Sequence, residues 1–135
     1  MAAYEISGHE TEPGEFLFVL APKGKPGFLE KMKYKKGGGE RYRLIVRTAS
    51  KIDRLGACRF HGTLVRPLDN RLSLVEVKVP GKVIRVMACT HAIGYRERLI
   101  LLFDFDGHQG SGQIAPEMMR RAKKLAAIAR SCAEE

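Results

Sequence analysis

Between residues 72 and 106 the chain follows the two-residue period of paired strands, and this constrains the fold more than anything else in the sequence. In residues 72–79, Val75, Val77 and Val79 share one face, while Leu74, Glu76 and Lys78 share the other. Pro80-Gly81 then turns the chain into a stretch at 82–91 that is rich in Val and Ile, the pattern of a β-hairpin. Ile93-Gly94-Tyr95-Arg96-Glu97 supplies a second, longer turn into residues 98–106, whose Leu99-Ile100-Leu101-Leu102-Phe103 run suits a central strand buried on both faces.

Helical patterns flank these strands. From Glu40 to Leu55, the residues Leu44, Ile45, Ala49, Ile52 and Leu55 recur at helical spacing, with Arg43, Arg47, Lys51 and Arg54 on the other side and Gly56 as a stop. A final helix opens at Pro116, with Met118, Ala122, Leu125 and Ala129 as its stripe and Arg120, Arg121, Lys123, Lys124 and Arg130 around it. The front of the chain is less legible. Glu15-Phe16-Leu17-Phe18-Val19-Leu20 fits a strand or a short helix equally, and the lysines at 31–36 before Gly37-Gly38-Gly39 read as a solvated linker in preference to a dedicated RNA-binding arm. The expectation is one α+β domain over 1–135, poorly defined over 1–40, with its core in 41–135: a small, curved, antiparallel sheet of three to four strands packed with two or three helices.

Composition narrows the partners. Lys and Arg number 24 against 15 Asp and Glu, a formal charge of +9, which favours an acidic partner such as a phosphate backbone, an acidic protein or an anionic lipid surface. The first residues lack a signal-peptide pattern and no apolar run is long enough to span a bilayer, so a cytoplasmic protein without membrane contact is expected. Cys58, Cys89 and Cys132 show no zinc-type spacing and read as reduced thiols. Asp104, Asp106 and His108 stand at i, i+2, i+4, too short and common a pattern to assign a metal; His61 and His91 have no partner spacing and Ser111 lacks a nucleophile elbow. Neither a metal nor a cofactor is expected.

In its order of motifs the chain from Gly14 onward resembles the RelE/HigB toxin superfamily, most closely the phage-derived HigB-like branch. Glu15-Phe16-Leu17 with Leu20 resembles the early E-F-L-x-x-L of that branch, and residues 44–56 its second helix. Val65-Arg66-Pro67-Leu68 is similar to V-K-x-L, residues 72–78 to L-W-E-L-R, and Ile84-Arg85-Val86 to Y-R-V. Residues 101–105 and then 116–124 resemble the last strand and the terminal helix with its E-x-x-x-A-x-x-R character. The chain also departs from the branch. Two lysines usual after the last strand are replaced by Gly107-His108-Gln109, Ile84 stands for the tyrosine, and the strand arginine falls opposite Glu76 or, shifted by two, Lys78. Residues 22–39 and 93–97 are longer than usual.

The resemblance implies a toxin of a type II toxin–antitoxin pair, acting as a ribosome-dependent endoribonuclease on messenger RNA and silenced by a cognate antitoxin, expected to be a helix-turn-helix protein. Such toxins use the 2′-hydroxyl of the substrate as nucleophile and no metal. That chemistry requires a base, a cation on the phosphate and an acid for the departing 5′-oxygen. Glu76, Arg85 and His108 fill these roles in that order, with Arg66, Lys78 and Lys82 holding neighbouring phosphates of the RNA. Each has a plainer account: Glu76 and Lys78 as an exposed pair on a solvated face, Arg85 in a structural ion pair, His108 as a loop residue. A ParE-like toxin that traps gyrase without catalysis, or a degenerate member that binds only RNA or a protein partner, would fit the missing loop lysines.

Overall fold

A computed structural model describes residues 3–107 and 112–135. Ten elements follow one another: β1 (Tyr4–Glu12), β2 (Glu15–Pro22), α1 (Phe28–Tyr34), α2 (Gly39–Leu55), a 3₁₀ turn (Ala57–Phe60), β3 (Val65–Asp69), β4 (Leu74–Lys78), β5 (Ile84–Ile93), β6 (Arg96–Asp106) and α3 (Pro116–Ala133). The strands form one six-stranded mixed sheet in the order β1-β2-β6-β5-β4-β3. This α+β architecture is larger than the antiparallel sheet of three to four strands expected from the sequence. The additions are the β1–β2 hairpin, joined to β6 in parallel, and β3, which lies outside the strand pattern read from residues 72–106.

The sheet is covered on both faces. Alternation along each strand sends Leu17, Val19, Val75, Val77, Val86, Leu99 and Leu101 toward α1 and α2, and Leu74, Met87, Cys89, Ile100 and Phe103 toward α3. The lysine-rich segment is therefore no linker: Leu29 and Met32 bury one side of α1 while Lys31 and Lys33 remain outside. On α2 the buried stripe is Ile45, Thr48, Ala49 and Ile52. Leu55, ten residues beyond Ile45, has rotated off that stripe and is exposed. Gly56 ends α2 at a φ of 98°, a value that favours glycine. The second hairpin turn is tighter than its sequence suggests, because Ile93 pairs with Arg96 across Gly94-Tyr95, with Gly94 at positive φ. Among the described residues, no helix is long and apolar enough to cross a membrane.

The parallel seam holds the two halves together. β2 and β6 pair in register only at Phe18–Ile100 and Val19–Leu101. Where they separate, the buried Asp53 carboxylate of α2 replaces the missing ladder: it accepts the Leu99 N–H at 2.8 Å and pairs with Arg98 at 3.0 Å, while Arg98 donates to the Phe16 carbonyl at 2.9 Å. Arg96 joins at 3.6 Å. Removing one member of such a buried network strands the others, so Asp53→Ala should lower unfolding free energy by about 3 kcal/mol or more, with Asp53→Asn costing less. Urea denaturation measures both; an Asp53→Ala midpoint equal to wild type would refute the role.

His9 ties the first hairpin to α2 through a 2.7 Å contact with the Tyr42 hydroxyl. Burial, and then the charge of Lys33, push its pKa below 6.5. A base whose folded pKa is depressed contributes stability above its unfolded pKa and loses it as pH falls through the folded value. Wild-type stability should thus fall more steeply than that of His9→Gln on acidification from pH 6.5 downward. Parallel pH profiles for the two proteins would contradict this account.

Candidate functional site

Near the end of the sheet where β6 finishes, alternation places a row of polar side chains on the α3 face. Cross-strand registers set Arg66 opposite Glu76, Lys78 opposite Arg85, and Arg85 opposite Phe105. Four residues expected from the sequence to act on RNA are thereby brought together: Arg66, Glu76, Lys78 and Arg85 line one cavity of about 80 Å³. Its remaining wall comes from Phe105, Asp106, Gly107, the Gly112–Ala115 approach to α3, and Met118. The cavity is small and lined largely by charged groups, which suits it to a phosphate-sized anion.

Three cations and two carboxylates, Glu76 and Asp106, line the cavity, and each carboxylate is engaged by an arginine, Glu76 by Arg66 and Asp106 by Arg41. Lys78 and Arg85 confront each other as direct cross-strand partners, and like charges so placed repel. Arg66 adds a third cation, but it is partly compensated: its Nε lies 3.1 Å from Oε1 of Glu76. That contact is an ion pair by distance, yet the N–H is poorly aimed, and Nε is a buried donor without a hydrogen-bond acceptor among the described residues. Glu76 itself is only 4% exposed. The exposed Glu76–Lys78 pair suggested by sequence is therefore corrected: Glu76 lies below the surface on Arg66, because β3, unrecognised in the sequence, covers that side of β4.

Arg85 has no carboxylate partner among the described residues, so it is not the structural ion pair that sequence leaves open. Its Nη1 donates to the carbonyls of Lys82 at 2.9 Å and Ile84 at 3.0 Å, which folds the guanidinium back over the hairpin turn. Two glycines complete its setting. A Cβ on Gly107 would lie 3.1 Å from Arg85 Nε, and one on Gly112 would lie 2.9 Å from Arg66 Nη1. Backbone thus presses on both arginines where a larger residue would push them. Sequence shows these glycines only as breakers; their spacing around the β6–α3 connection is the signal that could have marked them.

Lys82 is not in this cavity. It lines an adjoining groove on the hairpin turn, which shares Lys78, Arg85 and Gly107 with the cavity. His108, the expected acid, lies outside the described residues. Asp104 and Asp106, considered above with His108 for a metal, are both held by Arg41 of α2, each at 2.8 Å. Burial opposes the Arg41 charge, but hydrogen bonds to Asp106 and then Asp104 outweigh it and raise its pKa above the usual value.

No protein-family model matches the chain, and comparison with curated proteins and with solved structures returns no match. The chemistry of the site accordingly rests on its own geometry. A cationic recess with two directly opposed positive groups can bind a phosphate or phosphodiester oxyanion through charge-assisted hydrogen bonds. Inorganic phosphate should raise the thermal midpoint of the wild-type chain by mass action, and Arg85→Ala should lose most of that rise while staying folded. An equal phosphate response in both proteins would show that the cavity is not where the anion binds.

Proposed function

We propose that the chain is an RNA-directed toxin domain of the RelE/HigB type, which holds a phosphodiester of ribosome-bound messenger RNA in this cavity and cleaves it without a metal. The observation carrying this proposal is the convergence of Arg66 from β3, Lys78 from β4 and Arg85 from β5 around the carboxylate Glu76. Arg85, unpaired by any carboxylate among the described residues, stabilises the charge that accumulates on the phosphate as the 2′-hydroxyl attacks. Glu76 accepts the hydroxyl proton and Lys78 holds the same phosphate or its neighbour; as the new P–O2′ bond forms, the P–O5′ bond breaks, leaving a 2′,3′-cyclic phosphate, and the departing 5′-oxygen takes a proton from water or from protonated Glu76. The succession of two helices, strands and a terminal helix after Pro22 also supports the family likeness. A cognate antitoxin would silence the domain by covering this basic recess.

A second reading has one observation in its favour. Glu76 is buried on Arg66, a geometry that also serves simply to hold Arg66 in place. On that reading the domain binds RNA without cutting it. Programmed ribosomes separate the two. With cleavage mapped by primer extension, wild type should cut the message in the presence of a chelator, and Glu76→Gln and Arg85→Ala should each slow cutting by about 100-fold or more. Binding without cutting by wild type would favour the second reading; absence of both binding and cutting would remove RNA as the substrate.

A further inference from the structure

The cavity gathers cations around a phosphate-sized position, and Phe105 is the one aromatic side chain among its described lining residues. A larger groove of about 370 Å³ adjoins it, between α1, α3 and the ends of β1 and β2. The two share a boundary in β6 and α3. The Phe105 ring lines the cavity and stands 6.2 Å from the Phe103 ring, which lines the groove. Met118 lines the cavity, and Arg121, about one helical turn later, lines the groove.

The composition of the groove is distinctive. Lys31, Arg121 and Lys124 contribute to it, no Asp or Glu among the described residues lines it, and Tyr4, Phe28 and Phe103 form part of its wall. None of its three cations is paired with a carboxylate among the described residues. The Arg121 guanidinium carbon lies 4.2 Å from the centroid of the buried Phe103 ring. Arg121 remains exposed beside that ring and so presents surface to whatever enters the groove. A guanidinium packed against an aromatic ring is a stacking platform for a nucleobase, and lysines around it suit the adjoining phosphates.

We propose that this groove is a second subsite for the same RNA strand, in which a nucleobase stacks on Arg121 while flanking phosphates rest on Lys31 and Lys124. The inference rests on the RNA reading of the cavity and extends it: the cavity takes a phosphate whatever the sequence, and the groove takes a base next to it. An acidic protein segment would pair with all three cations but would leave the face of the Arg121 guanidinium without a stacking partner. The lysine of α1 and the Tyr4 and Phe28 walls come from the part of the chain that departs most from the family pattern, so the subsite is a property of this chain.

Fluorescence anisotropy with a short labelled single strand bearing 2′-O-methyl groups, which cannot supply the attacking hydroxyl, tests the proposal on the full chain. Arg121→Ala should weaken binding roughly tenfold, corresponding to one lost stacking contact, and should leave binding of an abasic version of the strand nearly unchanged. The Lys31→Ala, Lys124→Ala double variant should lower the slope of log affinity against log salt by about 1.4, at about 0.7 per phosphate contact on a single strand. These side chains are exposed, so circular dichroism should report an unaltered fold. If Arg85→Ala weakens binding while the groove variants do not, the second subsite is overturned and the RNA reading stands. If wild type binds no RNA, both fall. If the two lysines govern binding of poly-glutamate but not of RNA, the groove belongs to an acidic protein segment and the proposal is overturned.

Discussion

Lys78 and Arg85 face each other across the β4–β5 ladder, and the site depends on that confrontation. Cross-strand partners on one face are close enough for like charges to destabilise the pair. The carboxylates lining the recess are engaged by other arginines, Glu76 by Arg66 and Asp106 by Arg41. Arg85 turns back onto two hairpin carbonyls, which orients it without neutralising it. A concentration of positive charge kept in a recess, at a cost to stability, is the arrangement expected where an anion is to be bound.

The rest of the structure can be seen as the support for this recess. Registry across three antiparallel strands sets which cations meet, and that registry is fixed because both faces of the sheet are buried, so that a one-residue slip would exchange its two cores. Asp53 and Arg98 close the seam between β2 and β6 on the far side. Arg41 of α2 binds Asp104 and Asp106, which anchors the end of β6 where Asp106 contributes to the cavity wall. From the other face α3 supplies Met118 and the preceding backbone as a roof.

Much of this was legible in the sequence. The alternation of 72–79, the apolar run 99–103 and the helical stripes after Glu40 and Pro116 gave β4, β5, β6, α2 and α3, since each carries a period long enough to identify. Period two alone placed Glu76 and Lys78 together, and the hairpin brought Arg85 to them. What was not legible depended on contacts distant in sequence. β2 shows a continuous apolar run because both its faces are covered, and such a run does not separate strand from helix. β3 carries Pro67 and only five residues, and it is a strand by virtue of pairing with β4 at the sheet edge. Lysine content concealed α1, where only Leu29 and Met32 face inward. The burial of Glu76 follows from β3 and was hidden with it.

A double-mutant cycle on Lys78 and Arg85, read as unfolding free energy at low ionic strength and again under saturating phosphate, tests the central claim most directly. The account predicts an unfavourable coupling of a few tenths to about 1 kcal/mol without phosphate, reversing to favourable when phosphate is bound, because each cation then helps the other hold a shared anion. A coupling near zero under both conditions, or a favourable one without phosphate, would show that the two charges do not act on a common site.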